Sequence, residues 1–158
     1  MKQDSTSNLD FKIPPLLLVC AWALIMWALS TLIPMGSLAY KYNIAVFGIF
    51  FTLGFIALIS GVLHFGKVGT TVNPTAPAKS RTLVTFGIYR ITRNPMYLGL
   101  LLMLVGWGIY LSNSISLFSL VGFVAYMNKF QITPEERILR GKFGQEYESY
   151  TKQTRRWI

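Results

Sequence analysis

The sequence has few acidic residues and little charge of either sign. Asp and Glu number 6 against 15 Lys and Arg, and charged residues make up 13% of the 158-residue chain, whereas 53% of the residues are apolar. A soluble domain typically carries about 25% charged residues. This shortage of charge argues against an ordinary water-soluble globular protein.

Cysteine and histidine occur once each. One cysteine excludes a disulfide framework, and Cys20 lies within an apolar block, where we expect a small buried apolar side chain. His64 has no cluster of histidines or cysteines with which to share a metal ion, so the sequence predicts no metal site and indicates a histidine at a membrane interface. No G-x-S-x-G, P-loop glycine run or H-E-x-x-H motif occurs.

What the sequence does contain is long apolar blocks. Residues 13–33 and 43–65 are each long enough to cross a hydrocarbon layer of roughly 30 Å at about 1.5 Å per residue, so we predict two membrane spans. A cleaved signal peptide at the first block would have a shorter apolar stretch followed by a small-x-small site. A third uncharged block is broken at Ser112–Ser114, which predicts a helical hairpin over residues 95–130 with arms of about 15 residues, short for full spans.

Polar sequence fills the rest of the chain. Residues 66–94 predict a cytoplasmic loop with one short helix and a turn-rich run at 73–77. Residues 133–158 predict an amphipathic cytoplasmic helix and tail, which Thr133 and Glu136 would start as a T-x-x-E capping box. The apolar stripe of this helix is formed by Ile138, Leu139, Phe143 and Tyr147.

The basic residues fall on one side of this arrangement. Of the 15 Lys and Arg, two precede the first span, five lie in the 66–94 loop and seven follow from Lys129 onward. Because Lys and Arg stay cytoplasmic, both termini and the loop are predicted to face the cytoplasm. Contact with anionic membrane lipids then explains the positive charge, and no nucleic-acid partner is predicted. The fold class predicted for residues 1–158 is one all-α integral membrane domain with four membrane-embedded helices, two spans plus the hairpin.

A polar and aromatic segment stands at the start of the hairpin. It reads T-F-G-I-Y-R at 85–90 and R-N-P-M-Y-L-G at 93–99. A purely structural interpretation has Asn94 capping the helix, Arg93 on a lipid phosphate and Tyr97 in the interfacial aromatic belt. Cationic, hydrogen-bonding and aromatic groups at a helix end also suit a polar ligand, and the residues leave both interpretations open.

Two further features allow a structural or a functional interpretation. Gly106 and Gly108 lie in mid-helix, where missing side chains permit close helix packing or a closely bound ligand. Glu135 and Glu136 point about 100° apart on a helix, so one would cap the helix or pair with Arg140 while the other faces a groove toward the membrane. The aromatic and basic tail that follows is interpreted as a membrane-surface anchor.

Three motifs occur in order: G-I-Y-R-x-x-R-N-P-M-Y-L-G at 87–99, E-E at 135–136 and F-G-x-E-Y-x-x-Y at 143–150. Together they resemble the isoprenylcysteine carboxyl methyltransferase family. The chain is also similar to phosphatidylethanolamine N-methyltransferases in three motifs, N-P-M-Y-x-G, G-x-G and E-E. The resemblance covers roughly residues 80–158, and Asn94 stands where the carboxyl methyltransferases commonly have the histidine of R-H-P.

The resemblance implies an integral-membrane methyltransferase that uses S-adenosyl-L-methionine and releases S-adenosyl-L-homocysteine. It also implies a cofactor site at the cytoplasmic side, where the loop, the hairpin and the C-terminal helix meet. The implied cofactor-binding residues are Gly87, Tyr89, Arg93, Asn94, Pro95, Tyr97, Leu98, Gly99, Gly106, Gly108, Glu135 and Glu136. No residue is assigned as catalytic; Arg93, Asn94 and Glu135 are expected to position the reactants.

The residue types suit this chemistry. Methyl transfer from a sulfonium is an in-line displacement that depends mainly on holding donor and acceptor close. Arg93 would bind the carboxylate of the cofactor, and Glu135 its ribose hydroxyls or ammonium. Tyr89 or Tyr97 would face the sulfonium, and Glu136 is expected to cap or pair. No side chain stands out as a base, so the acceptor, expected to be a lipid or another lipophilic molecule, is a carboxylate or another nucleophile.

Two other functions stay open at this point. A non-catalytic membrane scaffold or subunit would use the basic loop and tail to bind anionic lipid or a protein partner. A small transporter is disfavoured because the two spans contain no ionisable residue before His64 and offer no charged site at the membrane midplane.

Overall fold

The computed structural model describes residues 13–33, 43–68 and 82–158. These residues form five α-helices, a 3-10 turn at Gly87–Arg90 and a π-helical segment at Asn128–Ile132. The α-helices are α1 (Pro15–Leu32), α2 (Asn43–Val68), α3 (Pro95–Leu111), α4 (Ser114–Met127) and α5 (Thr133–Gln153). The all-α class is confirmed for the described part of the chain; the turn-rich run predicted at 73–77 lies outside it.

Three of the described helices are long and apolar enough to cross a membrane. They are α1, the Asn43–Phe65 part of α2, and the continuous helix from Ser114 to Gln153 that contains α4. The remaining apolar helix, α3, is shorter at 17 residues. The two predicted spans therefore correspond to α1 and α2, and α3 and α4 are the arms of the predicted hairpin.

The hairpin turns where the sequence predicts it. Ser112 ends α3 in the left-handed conformation with φ 54°, and the Asn113 side chain caps α4 by accepting a 2.9 Å hydrogen bond from the Ser116 backbone N–H. Asn113 also donates to the Ile33 carbonyl at 2.9 Å, and Ser116 Oγ donates to the Met26 carbonyl at 2.7 Å. These polar groups are thus satisfied inside an apolar bundle, which ties the hairpin to α1.

Glycines allow the helices of the bundle to approach closely. A Cβ atom on Gly99 of α3 would lie 2.4 Å from the Gly54 carbonyl oxygen of α2. A Cβ on Gly106 would lie 2.9 Å from a phenylalanine side chain of α2, and one on Gly108 would lie 2.6 Å from a leucine side chain of α4. Since neighbouring helices fill the space beside all three glycines of α3, their structural role is helix packing.

The main core lies where α1 packs against α3 and α4. Its buried side chains are Leu18, Met26, Tyr97, Leu100, Leu104, Leu120, Phe123, Met127 and Ile132. The outer faces of the helices expose large apolar side chains such as Leu24 and Phe118, as expected of surfaces that lipid covers. Cys20 lies on such a face, so the expectation that it is buried within the protein is wrong.

The prediction that a separate helix begins with a T-x-x-E capping box is also wrong. Thr133 has helical dihedral angles, and its backbone N–H donates to the Asn128 carbonyl, so α4 continues through the π-helical segment into α5. Pro134 lacks the N–H that an uninterrupted α-helix would use, and the wider π-helical turn just before it accommodates that loss. Gln131 in this segment is fully buried and donates to the Ile13 carbonyl at 2.8 Å.

The C-terminal part of α5 folds back onto the loop that precedes the hairpin. Gly144 interrupts α5 with φ 50° and ψ −122°, a conformation that glycine adopts without steric cost. Beyond this kink, Tyr147 and Tyr150 pack with Val84 and Tyr89 in a second buried cluster. This second cluster places the end of α5 beside the 3-10 turn.

Candidate active site

The first turn of α3 meets the first turn of α5 in a hydrogen bond between two predicted site residues. Tyr97 is 4% exposed, and its Oη donates to Glu135 Oε2 at 3.1 Å. Two motifs that are distant in the sequence therefore converge, as the family resemblance implies. Because Tyr97 is held within the main core, it fixes the Glu135 carboxyl at the edge of that core.

The second carboxylate of the acidic pair has a different environment. Glu136 Oε1 lies 3.1 Å from Arg93 Nη2, and Arg156 donates to both carboxylate oxygens, from Nε at 3.1 Å and from Nη2 at 2.6 Å. The Glu136 side chain is 13% exposed, and a buried carboxylate requires such charged partners. The expectation that Glu136 pairs is confirmed, but its partners are Arg93 and Arg156, and the predicted pairing with Arg140 is wrong.

Residues 154–157, which we call the C-terminal strap, cross the segment that leads into α3. The Arg93 backbone N–H donates to the Arg155 carbonyl at 2.9 Å, and Thr92 and Arg155 form an isolated parallel β-bridge. Asn94 stands at the N-cap position of α3, but its side chain makes no capping hydrogen bond. It donates instead to the Arg156 carbonyl at 2.9 Å, so the capping interpretation of Asn94 is wrong.

The strap also reaches the π-helical segment. Trp157 Nε1 donates to Asn128 Oδ1 at 3.1 Å, and Thr92 Oγ1 donates to the Arg156 carbonyl at 3.3 Å. These contacts show that the tail is part of the tertiary structure of the site. The interpretation of the tail as a membrane-surface anchor does not predict this role. The strap therefore holds the Arg93–Asn94 segment and the start of α5 together.

Tyr89 of the 3-10 turn forms another wall of the cluster. It is 4% exposed, and its hydroxyl has no hydrogen-bond partner in the described structure. Its carbonyl accepts a 2.6 Å hydrogen bond from Tyr150 Oη, and its ring meets that of Phe65 edge to face at 5.5 Å. An open cleft of about 560 Å³, lined in part by Arg90 and Tyr150, adjoins this wall. The buried cluster thus lies close to the protein surface.

Burial changes the proton affinities of these groups. It raises the pKa of Glu135 from 4.5 to about 7, against a smaller lowering by the hydrogen bond from Tyr97 and with a further rise from the Glu136 charge. Burial also raises the pKa of Tyr89, and the nearby Glu135 charge raises it further. Near neutral pH the carboxyl of Glu135 is therefore poised between its charged and neutral forms, and Tyr89 stays neutral.

Several buried polar atoms of the cluster have unused hydrogen-bonding capacity. The Tyr89 hydroxyl and Arg93 Nε have no partner among the described residues, and the hydrogen bond from Tyr97 leaves Glu135 Oε1 able to accept. Buried polar atoms without partners are rare in folded proteins and call for a ligand or water. Donors, a carboxyl group and aromatic faces together fit S-adenosylmethionine, which carries a carboxylate, hydroxyls and positive charge.

The structure does not bring all the predicted site residues together. Pro95 and Leu98 flank Tyr97 in the first turn of α3, whereas Gly87 lies against His64. The remaining predicted residues are the α3 glycines, Gly99, Gly106 and Gly108, which lie in contacts with neighbouring helices. Whether any of these residues contacts a cofactor stays a prediction.

Sequence reasoning missed several residues that build the site. Thr92 is fully buried, accepts from the Asn94 backbone N–H at 3.1 Å and bonds the strap. Arg156 pairs with Glu136, and Tyr150 bonds the backbone of Tyr89. One available signal was the scarcity of carboxylates in so basic a chain, because a largely buried carboxylate such as that of Glu136 requires cationic partners, although the sequence does not say which arginines supply them.

The described fold and site define a class: a small all-α protein with membrane-length apolar helices and one buried, charged cluster at the start of a helical hairpin. The sequence model of the family described as phospholipid methyltransferase matches residues 42–146, about two thirds of the chain. The chain belongs to this family. The matched segment includes Tyr97 and both carboxylates of the acidic pair, and the resemblance inferred from the motifs is confirmed.

Similar proteins include both uncharacterised and named relatives. An uncharacterised protein of Haemophilus influenzae is 44% identical over 63 residues, 40% of this chain and all of that protein. The protein-S-isoprenylcysteine O-methyltransferase of Schizosaccharomyces pombe is 35% identical over 107 residues, 63% of this chain and 44% of the yeast protein. A probable enzyme of the same name from Oryza sativa subsp. indica is 40% identical over 73 residues, 44% of this chain and 37% of the rice protein. The chain thus spans less than half of the yeast and rice proteins, and no solved structure matches it.

Proposed function

We propose that this protein is an integral-membrane S-adenosylmethionine-dependent methyltransferase that acts on a lipophilic acceptor. The observation that carries the proposal is the 3.1 Å hydrogen bond between Tyr97 and Glu135, beside polar atoms of Tyr89 and Arg93 that have no partner in the part of the chain that the structure describes. It joins two motifs of the methyltransferase resemblance in one buried cluster. The names of the yeast and rice relatives support the same reaction class.

Each polar side chain of the cluster has a proposed role in holding the cofactor. Arg93, whose Nε has no partner among the described residues, binds the carboxylate, and Glu135 accepts from the ribose hydroxyls or the ammonium. The rings of Tyr89 and Tyr97 supply aromatic faces for positive charge. Glu136 stays with its two arginines and orients Arg93. When bound, the cofactor supplies an electrophilic methyl group on its sulfonium.

The protein's contribution to the reaction is positioning. Methyl transfer requires the acceptor atom in line with the bond that breaks, and a rigid site supplies that alignment. The strap contributes because it bonds Arg93 and Asn94 through its backbone and Glu136 through Arg156. Burial of Tyr89 and Tyr97 shields the reacting groups from water.

A lipophilic acceptor suits the position of the site. The cluster lies at one end of apolar helices whose outer faces are exposed for lipid contact, so an acceptor dissolved in the bilayer reaches it by lateral diffusion. The distribution of Lys and Arg supports a cytoplasmic location for both termini and for the site. Membrane lipids are therefore the proposed surroundings, and a lipid or lipid-like molecule is the proposed substrate.

Binding of S-adenosylhomocysteine tests the proposed cofactor site. We expect titration calorimetry to show saturable binding by the folded, detergent-purified chain, weakened about tenfold or more by Glu135→Gln, which corresponds to about 1.4 kcal/mol. Glu148→Gln is the matched control because Glu148 is exposed on the same helix. Absence of binding by folded wild-type protein would refute the proposal.

The acceptor class is found by a labelling experiment. The full chain is incubated with membrane lipid extract and S-adenosylmethionine that carries a radioactive methyl group, and lipids are then separated from protein. We expect label in the lipid fraction with wild-type protein and not with Glu135→Gln. Label that appears only in protein would contradict a lipid acceptor.

A further inference from the structure

Gln131 of the π-helical segment is a fully buried amide with one used end and one unused end. Its Nε2 donates to the Ile13 carbonyl at 2.8 Å, whereas its Oε1 has no hydrogen-bond partner among the described residues. Exchange of the amide oxygen and nitrogen would place two acceptor oxygens against each other, so the bond to Ile13 fixes the direction of the amide. Gln131 therefore holds an acceptor oxygen at a buried position.

The surroundings of this oxygen are largely apolar. Met127, one helical turn earlier, and Ile132, the next residue in the chain, are both fully buried and belong to the main core that contains Tyr97. A carbonyl oxygen that is buried without a donor destabilises a fold. The unused end of Gln131 therefore calls for a ligand or a water molecule that donates a hydrogen bond.

The helix places Gln131 on the same face as Glu135. Four residues advance an α-helix by about 400°, roughly 40° past a full turn, and the Cβ atoms of such residues lie about 5–6 Å apart. The wider π-helical turn rotates each residue less, which brings the two side chains closer to one line. Glu135 keeps Oε1 able to accept because Tyr97 donates to Oε2. Two acceptor oxygens thus lie one helical turn apart at the edge of the main core.

The chemistry of the two acceptors selects the group that Gln131 binds. The charged ammonium of S-adenosylmethionine favours the carboxylate of Glu135 over a neutral amide. Adenine is commonly read by an amide that both donates and accepts, but the Gln131 donor is occupied by Ile13. A ribose hydroxyl needs one acceptor, and the second hydroxyl beside it can reach a second acceptor one turn away.

We propose that Gln131 is a further cofactor-binding residue, whose Oε1 accepts a hydrogen bond from a ribose hydroxyl of the cofactor beside Glu135. This inference rests on the proposed function and names a ligand group for a residue outside the three motifs. The Ile13 carbonyl holds the amide in place, so the residue just before α1 positions Gln131 for the ribose.

Removal of each ribose hydroxyl tests the inference on the wild-type protein. The 2′-deoxy and 3′-deoxy forms of S-adenosylhomocysteine are compared with the parent compound by titration calorimetry of the full chain in detergent. We expect at least one of them to bind about tenfold or more weakly, because its loss leaves the buried Gln131 oxygen unpaired. Equal affinities of the three compounds would overturn the inference.

Gln131→Met assigns that hydroxyl to Gln131, because methionine has a similar length and no amide. We expect the variant to bind S-adenosylhomocysteine about tenfold more weakly and to bind the weakened deoxy compound within about twofold of the parent. An equal loss for all three compounds would indicate a purely structural role and would overturn the inference. Gln145→Met is the matched control, because Gln145 is exposed on α5, and it should keep the wild-type discrimination.

A shorter amide provides a second variant if Gln131→Met does not fold. Gln131→Asn keeps the polar group but withdraws its oxygen by one methylene, so the same loss of discrimination is expected. Wild-type discrimination by a folded Gln131→Asn protein would count against the inference.

S-Inosylhomocysteine, which lacks the adenine amino group, distinguishes the base from the ribose. We expect its affinity relative to the parent compound to be the same in wild type and Gln131→Met. A difference would assign Gln131 to the adenine and overturn the ribose assignment, with the proposed function left standing. Failure of folded wild-type protein to bind S-adenosylhomocysteine would instead refute both.

Discussion

Tyr97 Oη donates a 3.1 Å hydrogen bond to Glu135 Oε2 across 38 positions of sequence. The bond joins a helix of the hairpin to the first charged turn of α5, and it leaves Glu135 as the carboxyl of the acidic pair that has no ion-pair partner in the described structure. A carboxyl group with a pKa of about 7 is suited to lose its proton when a cationic ligand binds beside it.

Tyr97→Phe is expected to raise the pKa of Glu135 above its value of about 7. In the wild-type protein the hydrogen bond from Tyr97 lowers this pKa, and the variant lacks that bond. The variant keeps the buried ring. Affinity for S-adenosylhomocysteine, which carries an ammonium group, should then be reduced near neutral pH and recover at higher pH. Titration calorimetry at several pH values measures this shift, with Tyr126→Phe as control because the Tyr126 hydroxyl makes no hydrogen bond with the described residues. Equal pH midpoints in all three proteins would contradict the assignment.

Glu135→Gln is expected to change how stability depends on pH. The folded state raises the pKa of Glu135 from 4.5 to about 7, so its contribution to stability is fully present below about pH 4.5 and is lost as pH rises through about 7. Glutamine removes this loss, and the variant should unfold less readily than wild type above pH 7, by at most about 3 kcal/mol, because Glu135 is partly exposed.

Thermal unfolding in detergent at about pH 5 and about pH 8 checks this prediction. The exposed Glu148 on the same helix provides the control Glu148→Gln, which should follow wild type at both values. A Glu135→Gln protein with the wild-type pH dependence would show that the carboxyl is not destabilised by burial.

Arg156→Ala is expected to weaken both folding and cofactor binding. It removes two hydrogen bonds to Glu136, and since Arg156 is partly exposed we expect a loss of about 1–2 kcal/mol in the free energy of unfolding. Arg155→Ala is the matched control, because Arg155 is exposed and contacts Arg93 through its backbone; it should stay within about 0.5 kcal/mol of wild type. Denaturant titration and S-adenosylhomocysteine calorimetry measure the two effects, and equal behaviour of the two variants would argue against the strap as part of the site.

Gly99→Ala is expected to destabilise the bundle by about 1–3 kcal/mol. Its Cβ would lie 2.4 Å from the backbone carbonyl of Gly54, so α2 and α3 would have to separate. Gly48→Ala, on α2 with no atom within 4 Å of the added Cβ, should be neutral or stabilising. Thermal unfolding of the two variants side by side checks the prediction; equal stability would mean that the helices do not pack at Gly99.

Much of the fold could be predicted from the sequence because helix length in a membrane depends on local composition. The apolar blocks predicted α1 and α2, and the polar residues at Ser112–Ser114 predicted the hairpin turn. Predictions that depended on one local rule did less well. Thr133 and Glu136 match a capping box, yet the helix continues through the π-helical segment past Thr133, and Glu136 pairs with two arginines that the local sequence does not specify.

The sequence by itself determined the membrane-length helices, the basic side of the chain and the residue types of the site, since these follow from composition, spacing and motif. Only the tertiary structure decided which partners those residues have. Tyr97 donates a hydrogen bond to Glu135, the strap places Arg156 beside Glu136, and the 3-10 turn places Gly87 beside His64. The physical reason is that such contacts join residues 20 or more positions apart, and helix packing, rather than local propensity, sets which side chains meet.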